Sequence, residues 1–327
     1  MINMKICDIC GTYNSKENKY CFHCGNKLLK DNICPLCATL NEDEATICSN
    51  CGSPLSTFTI ESFDILFSDY YREQLANFDL SVMEYYSILN NIFNKQAFTP
   101  IVGTTAKDKV LDIASKFAKC KTKSRGVEFG ANMGTTLEYD DRLDDSVQIA
   151  TIIHELAHCL LFKIILNVLC EAFDVKTSKT LESFVWFFLT FGELEIMFEY
   201  CAHTVEGRFI PYGYQNYGSF NNLVRQSDIS EDNLELAIIL GNSFANEIIV
   251  YLEKYIDDDL RNLIKIQYKK DSTVPKFDSI ELETNQCLDL DLKNKQLIQL
   301  LNVIFDEATL SRNRDELMFI KEGLENF

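Results

Sequence analysis

No stretch of this chain reaches 18 apolar residues without polar interruption, no basic stripe is present, and only four histidines occur in 327 residues. The first absence argues against a membrane-spanning helix. The run Phe184 to Phe191 is closely followed by Glu193 and Glu195 and reads as core. The second argues against nucleic acid as a partner: 31 Lys and Arg face 49 Asp and Glu, a net charge of −18, whereas phosphate binding relies on concentrated positive charge. A disulfide framework is also missing. Eight of the 13 cysteines fall in paired C-x2-C units, and the odd remainder, Cys120, Cys159, Cys170, Cys201 and Cys287, fits a reducing compartment. Met1 to Cys7 has no signal-peptide architecture, so a cytoplasmic protein is expected. The abundance of Asn, Lys and Ile suggests a bacterial source.

What is present is concentrated in two places. Two of the four histidines lie in His154-Glu155-Leu156-Ala157-His158, flanked by Ile149 to Ile153 and Leu160 to Phe162. On a helix, residues four apart share a face, so both imidazoles reach one metal ion while Glu155 projects beside them. This H-E-x-x-H pattern outlines a hydrolytic zinc site. Neutral imidazoles leave the ion a Lewis acid that lowers the pKa of bound water from 15.7 to roughly 7. Glu155 is left to accept the water's proton and hand it to the leaving group. The plainer alternative is a buried amphipathic helix.

A catalytic zinc usually takes three protein ligands. Candidates for the third lie on the next helical stretch, Leu181 to about Val205, where Glu195, Glu199 and His203 are four apart. Glu199 is favoured, because small residues follow it where two helices must approach, whereas bulky Ile196, Met197 and Phe198 follow Glu195. The chain here resembles the gluzincin metallopeptidases, in which H-E-x-x-H is completed by a glutamate on a following helix, commonly as E-x-x-A or E-x-x-x-D. The resemblance, over roughly residues 126–220, implies His154, His158 and Glu199 as ligands and Glu155 as base. His203 stands where that family often has Asp holding a ligand histidine. It therefore remains an alternative third ligand, as does Glu195 with Glu199 behind it.

Gly126 to Gly130 and Thr135 to Asp140 read as short strands separated by a turn at Asn132-Met133-Gly134. In the gluzincin pattern a strand at this place edges the cleft and pairs with extended substrate. The segment Glu206 to Phe220, dense in Gly and Tyr, reads as a loop. Arg208, Tyr212, Tyr214 and Tyr217 are its candidates for stabilising an oxyanion or touching substrate.

The second concentration is an internal repeat. Cys7, Cys10, Cys21 and Cys24 are followed by Cys34, Cys37, Cys48 and Cys51 at a period of 27, with Gly25 matching Gly52 and Leu28 matching Leu55. Two C-x2-C knuckles close one tetrahedral zinc site of four thiolates, so two structural zincs are implied. The units resemble tandem zinc ribbons, the double zinc ribbons found at the ends of many bacterial proteins. About 50 residues build little core, so metal binding would drive their folding. Their net charge of −1, five Lys against six Asp and Glu in residues 1–56, favours a protein partner or substrate over nucleic acid. His23 is expected exposed, since the cysteines complete the set.

These features predict an α+β, mainly α protein: a double zinc ribbon over 1–56, then a zincin-like domain over 57–327 with a small β-ribbon and a C-terminal helical wall. Helices are expected at 61–77, 80–95, 105–119, 231–256 with Ser230 as N-cap, 258–270, 293–307 and 313–325. The expected function is an intracellular zinc endopeptidase, with one catalytic and two structural Zn²⁺, whose ribbons recruit or position a protein substrate. A catalytically silent peptidase-fold regulator and a zinc-ribbon interaction module are the alternatives.

Overall fold

The structure, a computed structural model, describes residues 4–7, 10–15, 18, 20–25, 32–33, 39–41, 45, 49–50, 59–96, 99–123, 129–271, 276 and 284–327. The boundary expected at 56/57 and Gly126 to Glu128 lie outside these residues.

Two small hairpins open the chain. β1 (Met4–Ile6) pairs antiparallel with β2 (Tyr13–Ser15), and β3 (Asn32–Ile33) pairs the same way with β4 (Leu40–Asn41), one period of 27 later. The repeat extends to hydrogen bonds. The Asn14 amide donates to the Thr12 carbonyl and its oxygen accepts from the Phe22 backbone N–H. Asn41 does the same with Thr39 and Ser49.

Most of the remainder is helical. Side-chain caps set several helix starts. α1 (Phe63–Leu66) and α2 (Asp69–Ala76) replace the single helix expected over 61–77, because Phe67 and Ser68 interrupt it. α3 (Val82–Phe93) starts on a Ser81/Glu84 capping box and α4 (Ala106–Phe117) on a Thr105/Asp108 box. A three-stranded sheet follows, β5 (Lys119–Thr122), β6 (Gly130–Met133) and β7 (Thr136–Tyr139), in the order β5-β7-β6. β7 is central and buried, parallel to β5 and antiparallel to β6. The expected strand pair is thus a triplet. Its turn starts two residues later than expected, because positive φ falls on Gly134 (60°), which leaves Asn132 and Met133 inside β6.

α5 (Asp145–Phe173) carries H-E-x-x-H through the protein centre and is buried on nearly every side. α6 (Lys179–Thr190) and α7 (Leu194–Phe209) correct the single stretch expected from Leu181 to Val205: Gly192, at φ 55°, breaks it. The expected loop over 206–220 is also shorter, since α7 runs on to Phe209 and α8 (Gly218–Gln226) begins early. α9 (Glu231–Leu252), capped by Ser230, α10 (Asp258–Lys270), α11 (Leu290–Ala308) and α12 (Ser311–Asn326) complete the chain.

α7 lies between α5 and α9. The approach of α9 is tight at Gly241, where a Cβ would stand 2.8 Å from the Met197 carbonyl oxygen. β6 meets α5 as closely at Gly130, whose Cβ would collide with the Thr151 methyl and stand 3.0 Å from a Glu155 oxygen. Glycine at these two positions lets α9 close on α7 and β6 close on α5. α5 and α9 are long and apolar enough to cross a membrane, but 78% and 61% of their apolar windows are buried inside the protein, as core helices would be. The second knuckle of the first ribbon rests on α3, where the Asn90 amide donates to the Cys24 carbonyl and the Asn90 oxygen accepts from the Tyr251 hydroxyl of α9.

Candidate functional site

His154 and His158 lie one turn apart on α5 and aim their Nε2 atoms at the same point, 3.2 Å from each other. Glu199 of α7 closes the group, with its carboxylate oxygens 3.3 Å from His158 Nε2 and 3.6 Å from His154 Nε2. Donors bound tetrahedrally to zinc at about 2.0–2.2 Å stand roughly 3.3–3.6 Å apart. The three separations, with His158 facing Oε1 and His154 facing Oε2 of Glu199, are close to that length, so the residues fit the ion.

The electrostatics are those of a cation hole. Burial lowers the proton affinity of His154, but Glu199 and Glu206 outweigh it and hold the imidazole well above the ordinary histidine range. For His158, burial prevails and the pKa falls. Burial raises the Glu199 carboxyl, and the two histidines more than reverse this, taking it well below the usual range. Facing imidazole nitrogens repel unless a positive charge sits between them. A proton or a metal ion meets that need.

His154 Nδ1 bonds to Glu206 Oε2 at 3.1 Å. Such a carboxylate fixes the ring and its tautomer and directs Nε2 at the metal point. Glu206 is seven residues after Glu199 on the same face of α7. Glu206 falls at the start of the segment expected to be a loop, and the place where the gluzincin pattern has its Asp is occupied by His203. The i, i+7 spacing was the available signal. His203 Nε2 bonds instead to the Ser219 hydroxyl at 2.7 Å, and that hydroxyl lies 3.0 Å from Glu199 Oε2.

His203 also forms a compact set with His154 and Glu199, their donor atoms within 4.8 Å of one another. His158 Nε2 is the nearer of the two to Glu199, 3.3 against 3.6 Å, and lies 3.2 Å from His154 Nε2, while His203 Nε2 is already engaged by Ser219. Glu195 makes no hydrogen bond or ion pair with a histidine among the described residues.

Glu155 is buried beside the triangle, its Oε2 accepting from Asn132 Nδ2 on β6 at 3.2 Å. The group opens into a cavity of about 650 Å³ walled by β6, α5, α6 and α7, with Tyr214, Asn216, Ser219 and Tyr268 opposite. The loop candidates separate here. Tyr214 lines the cavity, its ring centroid 4.7 Å from that of Tyr268. Tyr217 packs behind His203, with ring centroids 4.9 Å apart. Arg208 is outside the lining, held by Glu253 at 2.6 Å, because its place near the α7 C-terminus turns it toward α9. Tyr212 is 82% exposed.

At the first ribbon, Cys7 Sγ lies 3.6 Å from Cys24 Sγ and Cys10 Sγ 3.5 Å from Cys21 Sγ, near the edge of a four-thiolate zinc tetrahedron with Zn–S of about 2.3 Å. Burial raises the Cys21 thiol, but backbone N–H groups of Cys24 and His23 and the Asn14 amide bring it down to about 6. It is therefore a thiolate ready for metal at neutral pH. His23 is exposed. Cys34, Cys37, Cys48 and Cys51 lie outside the described residues.

Residues 7–52 match the double zinc ribbon family. No curated protein and no solved structure matches the chain. The N-terminus is therefore a double zinc ribbon with structural zinc, followed by a mainly helical α+β region with a small three-stranded sheet.

Proposed function

We propose that this protein is a zinc-dependent hydrolase of gluzincin type, an endopeptidase acting on protein inside the cell, with the ribbons recruiting or positioning its substrate. The observation that carries this reading is the triangle of His154 Nε2, His158 Nε2 and Glu199, open on one side to the cavity with Glu155 beside it. A bound zinc supplies the Lewis acid that polarises a carbonyl and acidifies water.

Glu155 would take the proton of the attacking water and return it to the leaving amine. Asn132 keeps that carboxylate turned toward the cavity. Glu206 keeps His154 in the tautomer that presents Nε2. Among the described residues β6 is an edge strand beside these groups, and the outer backbone groups of such an edge offer hydrogen bonds to an extended chain whatever its sequence.

The test is Glu155→Gln. The variant is expected to keep its zinc and lose cleavage of an unstructured test protein. Cleavage at the parent rate would overturn the role of Glu155. Full zinc loading without cleavage by either protein would favour the silent regulator.

A further inference from the structure

Glu195 lines the cavity one helical turn before Glu199 on α7, which places the two Cβ atoms about 5–6 Å apart. It is half-buried and makes no hydrogen bond or ion pair with a cationic group among the described residues. Aromatic rings line the same cavity beside the histidines. The Phe198 ring stands 4.1 Å from the His158 ring and 6.3 Å from Trp186, and Thr190 borders the same arm.

Carboxylates outnumber every other charged group in the cavity. Its described lining holds Glu155, Glu195, Glu199 and Glu206 and no Lys or Arg. Lys276 approaches Tyr214 at 5.8 Å but is exposed and outside the lining. One divalent ion neutralises half of the four carboxylates, so the loaded site still attracts cations. Glu199 and Glu206 are taken up by histidines and Glu155 by its proton transfer, which leaves Glu195 without a partner.

We infer that the cavity takes a substrate with a basic side chain, Lys or Arg, next to the scissile bond, with Glu195 as its counter-charge. The inference rests on the hydrolase reading above and names that site's substrate class. A lysine side chain lays its methylene stem along Phe198 and Trp186 and carries its ammonium over one helical turn to Glu195. Burial and the neighbouring Glu199 raise the Glu195 carboxyl, a repulsion that an incoming ammonium or guanidinium relieves.

The test uses two zinc-chelating probes with the same four-carbon stem, Nα-acetyl-lysine hydroxamate and Nα-acetyl-norleucine hydroxamate, titrated calorimetrically into the zinc-loaded full chain and into Glu195→Gln. Both chelate through the hydroxamate and differ only in the terminal charged group. The lysine compound is expected to bind the parent about tenfold more tightly or better, and Glu195→Gln to erase that preference. Equal affinities in the parent, or a preference that survives Glu195→Gln, would overturn the inference and leave the hydrolase reading standing. Binding of neither compound would refute the open zinc site and this inference with it.

Discussion

Removing the Glu206 carboxylate should weaken the metal site without touching a ligand. Glu206 is 6% exposed and bonds to His154 Nδ1 at 3.1 Å, with His203 Nδ1 at 3.4 Å. Burial raises its carboxyl and the two histidines bring it below the ordinary range, so it stands ionised against their rings. Losing such a partner typically costs 10–100-fold in metal affinity, about 1.4–2.7 kcal/mol. Glu206→Gln retains an oxygen for the Nδ1–H and loses the charge, so it should fall at the mild end. Glu206→Leu leaves His154 unheld in an apolar wall and should fall at the severe end. The assay is competition of each apoprotein against a chromophoric chelator, with the ribbon cysteines loaded first so that only the histidine site is read. Parent-like affinity in a folded Glu206→Leu, or equal losses in the two variants, would refute the positioning role.

Three further expectations follow from packing and charge. Gly241→Ala gains roughly 1 kcal/mol of helix propensity, but its methyl meets the Met197 carbonyl at 2.8 Å; overpacking of about 1–3 kcal/mol should win, and a raised urea midpoint would refute the close approach of α9 to α7. Lys293 is fully buried among Tyr85, Phe244 and Glu247, and burial lowers its pKa to about 8. The unfolded chain then binds more protons between about pH 8 and 10.5, so stability of the parent relative to Lys293→Met should be flat below 8 and rise by on the order of 3 kcal/mol toward 10.5; a difference that does not change with pH in urea titrations would contradict it. Asn90→Leu removes the amide between the Cys24 carbonyl and Tyr251. Chelating the ribbon zinc should therefore lower the melting temperature of the helical body in the parent more than in the variant, and equal shifts would show that the contact transmits nothing.

The parts of the molecule written in local spacing were legible. H-E-x-x-H announced α5 and the aim of two imidazoles, because i, i+4 geometry belongs to any helix. Ser230 marked the start of α9 through its cap. The ribbon repeat showed in its cysteines, and Thr12/Thr39 and Asn14/Asn41 continue it in hydrogen bonds at the same period. What depended on packing was not legible. β5 is four residues of mixed polarity whose identity comes from pairing with buried β7. The α6–α7 break hangs on the backbone angle of Gly192 inside an apolar stretch. Glu206 was hidden in a segment whose glycines and tyrosines suggested a loop, although α7 carries it two turns past Glu199 onto the back of His154. Ser219 reaches Glu199 across 20 residues, a contact that only the tertiary fold supplies.

The most direct measurement is zinc per chain by native mass spectrometry, for the parent and for His154→Ala/His158→Ala. With two four-cysteine ribbons and one histidine–glutamate site, the parent should hold three zincs and the double variant two. Two zincs in both folded proteins would make the H-E-x-x-H helix a piece of core and remove the basis for a hydrolase.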